Sequence, residues 1–404
     1  MTNILFRNAT LFATDRFVAN ASVHIADGRI VQVWDTDTDN VPAGATVIDL
    51  AGDYLVPGLV DLQLYGGSWQ FLNENPTPDV VRHIYATHVA NGTTTLLPTI
   101  HSTSLAVMQQ AMAAVQVVRT EQPLAVPGIH IEGPYFNPVK RGAHSASYVR
   151  VPDEAELDAL FSTHADVIRI LTLAPEMLPP ERMAQLVRLK HANTRLSLGH
   201  SNATYRQATD ALNSGHVPLG THLYNAMRGF ESREPGVVGA LFDHPSVCVS
   251  IIADGYHCDP ATIRIARQQL GDRLFLISDA LFAPGPRLDG PGLDSPRPDG
   301  PGLDGPRPTF TLGEFVVHFE ADPDGPGRYV NDAGNLAGSA LSLIDCVRVC
   351  VEKARLPLID ALRMATSIPA SLIGLGDQIG TIRPGYAAHL VRLSPDLRVE
   401  GVWH

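Results

Sequence analysis

From Val56 onward the chain alternates short apolar runs with longer stretches of helical periodicity, the signature of a parallel sheet with crossover helices. Eight runs read as strands: Gly58 to Tyr65, Thr93 to Pro98, Gly128 to Glu132, Val167 to Leu173, Arg195 to His200, Val217 to His222, Val247 to Asp254 and Leu274 to Asp279. The segments between them carry start and stop signals. Thr77-Pro78-Asp79, for example, opens a helix that Asn91-Gly92 closes. Eight such units with polar residues at the strand ends predict a (β/α)₈ barrel over residues 55–379, with its chemistry at the C-terminal face of the strands.

The two chain ends break this alternation. Residues 1–54 read as short strands interrupted by Asp27-Gly28 and Pro42-Ala43-Gly44, and the tail 380–404 has the same character. The expectation is a small β-sandwich built from both ends, hence a second domain discontinuous in sequence. A length of 404 residues suits one barrel of roughly 250 residues or more plus such a unit. A Pro/Gly-rich stretch at 284–308 contains a tandem ten-residue repeat from Pro286 to Gly305. It cannot build a core and reads as a mobile loop, first as a neutral expansion and second as a lid beside the mouth after strand eight.

Composition narrows the function. With 45% hydrophobic and 18% charged residues the chain is ordinary for a globular protein. A formal charge of −12 without clustered Lys and Arg excludes a nucleic-acid surface. No run approaches the ~18 apolar residues of a membrane span, and the first residues lack a signal peptide, so the expectation is a soluble cytoplasmic protein without a membrane partner. Cys248, Cys258, Cys346 and Cys350 lack metal-ribbon spacing and read as buried thiols. Only Lys140, Lys190 and Lys353 occur, none at the end of a strand-like run, so no carboxylated lysine bridging two metals is expected.

Four of the runs close on Glu132, His200, His222 and Asp279. One carboxylate and two imidazoles at neighbouring strand ends make a three-ligand, zinc-type site with an open position. An aspartate beside that position can serve as the base for a water activated there.

The stretches His130-Ile-Glu132-Gly-Pro-Tyr-Phe-Asn-Pro, Lys-Arg-Gly-Ala-His144, Leu-Thr-Leu-Ala-Pro-Glu176, Gly-His200-Ser-Asn-Ala, Thr-His222-Leu-Tyr-Asn225-Ala226-Met, Arg233-Glu-Pro-Gly, Ala-Asp254-Gly-Tyr-His257 and Ser-Asp279-Ala follow in order. Together they resemble the N-acetylglucosamine-6-phosphate deacetylases of the amidohydrolase superfamily, over nearly the whole chain. The resemblance implies one divalent metal per subunit, zinc first and iron second, on Glu132, His200 and His222. Asp279 would be general base and then acid, and His144 would stabilise the oxyanion. Arg233 and His257, assisted by the backbone amides of Asn225 and Ala226, would bind the phosphate. Because the arginine of these enzymes crosses a dimer interface, a homodimer is implied. The expected reaction cleaves the acetamide of N-acetyl-D-glucosamine 6-phosphate to D-glucosamine 6-phosphate and acetate.

The first strand departs from the wider superfamily, where a His-x-His pair often supports a second metal. Gln63-Leu-Tyr65 stands there instead, and residues two apart on a strand share a face. Neither is a good zinc ligand, so Gln63 and Tyr65 mark positions for water or a second cation in a site expected to be mononuclear. Tyr65 departs even from the Gln-x-Asn branch of the deacetylases, and filling the barrel mouth is an equal reading for it. Asp254 is expected to orient the loop bearing His257, while Asp61 and His389 are given no chemistry. The alternatives are deacetylation of N-acetylgalactosamine 6-phosphate, a different amidohydrolase chemistry that leaves the phosphate set unexplained, or a catalytically degenerate scaffold.

Overall fold

All eight predicted barrel strands form, and they pair side by side in chain order in one parallel sheet. The computed structural model describes residues 2–68, 70–281, 309–312, 315–322 and 325–404, so the repeat at 286–305 lies outside the described residues. The strands run Leu59–Leu64, Thr93–His101, Ile129–Glu132, Ile168–Leu173, Arg195–Leu198, Leu219–Gly220, Cys248–Ile252 and Leu274–Ile277. Helices cover the outside; the first, Pro78–Val89, begins as its sequence predicts, with the Thr77 side chain accepting the Val80 N–H.

The barrel closes between its last and first strands, and this seam positions half of the site. Asp279 N–H donates to the Gln63 carbonyl at 3.0 Å and Tyr65 N–H to the Ala280 carbonyl at 2.8 Å. Lower down, the fully buried Asp61 carboxylate accepts the Ser278 and Gln63 N–H groups, each at 3.2 Å. Burial nevertheless pushes the Asp61 carboxyl up to about 7. A register irregularity between Asp61 and Leu64, against the second strand, leaves Leu62 in the barrel's inner cluster while Gln63 also faces inward, toward Asp279. Such a bulge re-aims side chains next to a site.

Inside the barrel Val60, Leu62, Leu97, Ile170, Leu219, Ile252, Phe275 and Ile277 pack together, and Ala370, Ile373, Leu375 and Ile379 pack against them. After the barrel, Thr309–Leu312, Phe315–Glu320 and Arg328–Asn331 form a three-stranded antiparallel sheet that the apolar pattern did not announce.

The chain ends meet as a second unit. Asn3–Phe12, Phe17–Ala26, Arg29–Trp34, Thr46–Asp49 and Tyr54–Pro57 hydrogen-bond into one sheet with Leu390–Leu393 and Val399–Trp403. They enclose their own core of Phe6, Leu11, Val23, Ile25, Leu55 and Leu390. Leu390–Leu393 pairs antiparallel with Tyr54–Pro57, immediately before the first barrel strand, so the terminal segment anchors the entry to the barrel.

The third strand tests this packing most directly. A Cβ at Gly128 would lie 2.2 Å from the Val167 carbonyl oxygen, a backbone atom that cannot rotate away. Gly128→Ala should therefore cost about 1–3 kcal/mol, read as a lower denaturation midpoint in urea; an unchanged midpoint would contradict the close approach of the two strands.

Candidate active site

Three of the four strand-end residues lie two positions beyond the last strand residue: His200 after Leu198, His222 after Gly220 and Asp279 after Ile277. All three adopt left-handed backbone, with φ of 49°, 38° and 53°. For an L-residue this costs on the order of 1–2 kcal/mol each, so the surroundings must impose it. The constraints are visible: His222 N–H donates to Ser250 Oγ at 2.8 Å, the His200 carbonyl accepts the Asn137 N–H at 3.0 Å, and Asp279 N–H is held in the seam. The sharp turns aim the three side chains into the barrel mouth, where Glu132, the last residue of the third strand, meets them.

There Glu132 Oε1 lies 2.9 Å from His222 Nε2 and 3.2 Å from His200 Nε2, and the two Nε2 atoms are 3.1 Å apart. His200 Nδ1 faces the Lys140 carbonyl at 2.9 Å, a contact only an N–H can satisfy. The neutral imidazole then presents a bare lone pair at Nε2, toward a carboxylate oxygen and another imidazole nitrogen. Such a triangle of electron-rich atoms, all buried, fits a cation at its centre. Phe136 stacks on the His200 ring at 4.0 Å and fixes its plane. Burial raises the Glu132 carboxyl, but the adjoining His200 and His222 imidazoles outweigh it and hold the group below the usual carboxylate range.

His144 also comes near, since Glu132, His144 and His200 offer ligand-type atoms within 4.8 Å of one another. Its tautomer sets it apart. Ser102 N–H donates to His144 Nδ1 at 3.1 Å, so the proton of the neutral ring sits on Nε2, 3.7 Å from Glu132 Oε2. His144 thus faces the site as a donor, and burial followed by the neighbouring His200 keeps its pKa low. The donor set that fits a metal is Glu132, His200 and His222.

Asp279 and the first strand complete the floor. Gln63 Nε2 donates to Asp279 Oδ1 at 2.8 Å and to Tyr65 Oη at 3.3 Å, while the Tyr65 hydroxyl hydrogen-bonds Glu132 Oε2. Burial and then the Glu132 charge push the Asp279 carboxyl up to about 6, against the opposing pull of His222 and His257.

Glu132, His144, His200, His222 and Asp279 line a cavity of about 640 Å³ together with Tyr65, Asn225, Ala226 and His257. His257 is oriented as its motif suggests. The Asp254 carboxylate accepts His257 Nδ1–H at 2.6 Å, His257 N–H at 2.8 Å and Tyr256 N–H at 2.9 Å. Burial opposes a charge on His257, but the charge and hydrogen bond of Asp254 prevail and raise its pKa. Tyr256 joins this loop to the later sheet by donating to Asp322 Oδ2 at 2.5 Å and accepting Gly327 N–H at 3.3 Å. One expected donor is already engaged: Asn225 N–H donates to the His222 carbonyl at 2.9 Å, closing the turn after the strand. Arg233 is absent from the cavity wall and lies exposed on the loop that also carries Phe230, which is 64% exposed.

Sequence reasoning missed several wall residues. His101 ends the second strand, three residues beyond the predicted end at Pro98; the run Thr-Ile-His after the proline was the signal available. Leu281 and the turn Gly334 to Gly338 also line the cavity, brought there by the antiparallel sheet and by Ser339 N–H donating to the Asp279 carbonyl at 2.8 Å.

Comparison with known proteins identifies the family. The model of the amidohydrolase family matches residues 54–403. An N-acetylgalactosamine-6-phosphate deacetylase of Escherichia coli O157:H7 is 32% identical over 407 residues, covering 100% of this chain and 98% of its own length. An N-acetylglucosamine-6-phosphate deacetylase of Haemophilus influenzae is 30% identical over 378 residues, 93% of this chain and 92% of that one. The crystal structure of N-acetylglucosamine-6-phosphate deacetylase from Pasteurella multocida superposes with a TM-score of 0.87 at 29% identity, covering 99% and 98% of the two chains.

Removing one corner of the triangle should weaken the binding of a divalent cation there. His222→Ala is expected to lower divalent-metal affinity by at least roughly 100-fold, the upper end of what losing an outer-shell partner alone costs. Elemental analysis of the purified protein checks this, and metal content equal to the unmodified protein would remove His222 from the ligand set.

Proposed function

Because the chain belongs to the amidohydrolase family, we propose that its barrel mouth hydrolyses the acetamide of N-acetyl-D-glucosamine 6-phosphate, giving D-glucosamine 6-phosphate and acetate. The observation that carries this reading is the Glu132–His200–His222 triangle with Asp279 beside it in one cavity. A divalent cation held by those three residues, zinc before iron and one per chain, would supply Lewis acidity that acidifies water and polarises the acyl oxygen.

The chain's own groups do the rest. Gln63 occupies Asp279 Oδ1, which leaves Oδ2 to take the proton of the attacking water. As the water oxygen bonds the acyl carbon and the C–N bond breaks, Asp279 returns that proton to the leaving nitrogen, so one residue serves as base and then acid. His144 Nε2–H, fixed as a donor by Ser102, stabilises the negative oxygen of the tetrahedral intermediate. His257, oriented by Asp254, whose charge and hydrogen bond raise its pKa, takes the phosphate. With the Asn225 N–H occupied and its side-chain amide donating to the Leu223 carbonyl and Cys258 Sγ, the neighbouring Ala226 amide is the backbone donor assigned to the phosphate.

Arg233, exposed and outside its own cavity, suits reach into the site of a second copy of this chain, and supports a homodimer. Four free cysteines and a phosphorylated substrate support a cytoplasmic setting. Among the described residues no helix is long and apolar enough to cross a membrane. A second reading, the galactosamine epimer, is favoured by the name of the E. coli O157:H7 relative.

Acetate release from both epimers by metal-analysed protein tests the function. The expected result is a higher kcat/KM for the gluco epimer; a higher value for the galacto epimer would install the second reading, and no release from either by metal-loaded protein would overturn both. Asp279→Asn should keep its metal and lose roughly 100-fold or more in kcat, whereas normal turnover would remove Asp279 as the proton carrier. Arg233→Ala should raise KM for the phosphorylated sugar about 10-fold or more, the scale of a lost charge-assisted contact, and leave turnover of unphosphorylated N-acetylglucosamine unchanged. An unchanged KM would take Arg233 out of phosphate binding.

A further inference from the structure

Glu132 has two carboxylate oxygens, and a carboxylate free to rotate can bind a cation through one or both. In this chain the two are separated by their partners. Oε1 faces the imidazole nitrogens of His200 and His222, and Oε2 accepts the Tyr65 hydroxyl. The direction of that hydroxyl bond is fixed from behind. Gln63 Nε2 donates to Tyr65 Oη at 3.3 Å and to Asp279 Oδ1 at 2.8 Å, so the phenol oxygen already receives a proton and turns its single O–H toward Glu132. Gln63 holds the proton carrier with one N–H and the tyrosine with the other.

The ring cannot swing away. Tyr65 is 8% exposed, packed in a cluster with Phe71, Leu281, Val317, Tyr329 and Ala337, and its face meets the His101 ring at 5.6 Å. Leu281 and Ala337 belong to the cavity wall, whereas Val317 and Tyr329 belong to the three-stranded sheet over it, so the tyrosine is clamped between barrel and sheet.

We propose that Tyr65 is a positioning residue that engages Glu132 Oε2 and so presents the carboxylate to the metal through Oε1 alone. The first strand thereby supplies a hydroxyl proton beside the carboxylate oxygen that a second cation would otherwise share, and the site takes one cation. The hydroxyl's effect passes through Glu132, and its loss alters the metal before it alters the substrate. This inference rests on Glu132, His200 and His222 holding the metal.

The test uses the full chain, stripped of metal and titrated with Co²⁺, in unmodified and Tyr65→Phe forms. Phenylalanine keeps the packed ring and removes only the hydroxyl. The expected result is a Co²⁺ affinity about 10- to 100-fold weaker in Tyr65→Phe, the range for losing an outer-shell partner, measured by competition with a chelator. The visible Co²⁺ bands should also weaken, because the freed carboxylate binds through both oxygens and raises the coordination number. Thermal unfolding of both metal-free forms should coincide, which separates a clamp on the metal from a general loss of packing. Equal affinities and superimposable spectra in two forms that both bind Co²⁺ would overturn the role of Tyr65 while leaving the metal site standing. Failure of the unmodified protein to bind Co²⁺ would instead overturn the metal reading itself.

Discussion

Three buried ligand-type atoms, Glu132 Oε1 and the Nε2 atoms of His200 and His222, are held within 3.2 Å of each other, and the rest of the site is arranged around that constraint. Lone pairs forced together at this distance, away from water, are tolerable with a proton or a cation between them. The bond from His200 Nδ1 to the Lys140 carbonyl commits that ring's proton elsewhere, so the triangle is balanced either by a proton on His222 Nε2, whose Nδ1 has no partner, or by a cation in its place. The left-handed turns at His200, His222 and Asp279 are intelligible in the same terms: backbone strain accepted at the strand ends so that the side chains converge.

Around this centre the barrel works as a seam and the later chain as a wall. The hydrogen bonds that close the last strand onto the first bring Gln63 and Tyr65 beside Asp279, so closing the barrel also assembles this group. The sheet formed after the barrel buries Tyr65 from above and reaches the His257 loop through Tyr256 and Asp322. Tyr65 beside the Glu132 carboxylate and the His257 loop are therefore braced by the same part of the chain.

Much of this was legible in the sequence because parallel strands declare themselves as apolar runs and the polar residue that ends each run must lie at the mouth. Glu132, His200, His222 and Asp279 are found together for that reason. Spacing alone also put Gln63 and Tyr65 on one face. Their partners, 216 and 67 residues away in the chain, could not be read from it, since register across a closed barrel depends on how the last strand meets the first. His101 escaped notice because a proline seemed to end its strand. The antiparallel sheet escaped because Phe315–Glu320 follows a segment whose composition argues against any core. Arg233 is a different case: its motif is clear, but its side chain lies exposed and outside the cavity wall.

We propose that a single cation at the Glu132–His200–His222 triangle makes this barrel a deacetylase. The most direct measurement is to titrate metal-depleted protein with Zn²⁺ while following acetate release from N-acetyl-D-glucosamine 6-phosphate. Activity should be absent at the start, rise in proportion to added metal and level off at one equivalent per chain. Full activity without metal, or a rise that continues to two equivalents, would contradict it.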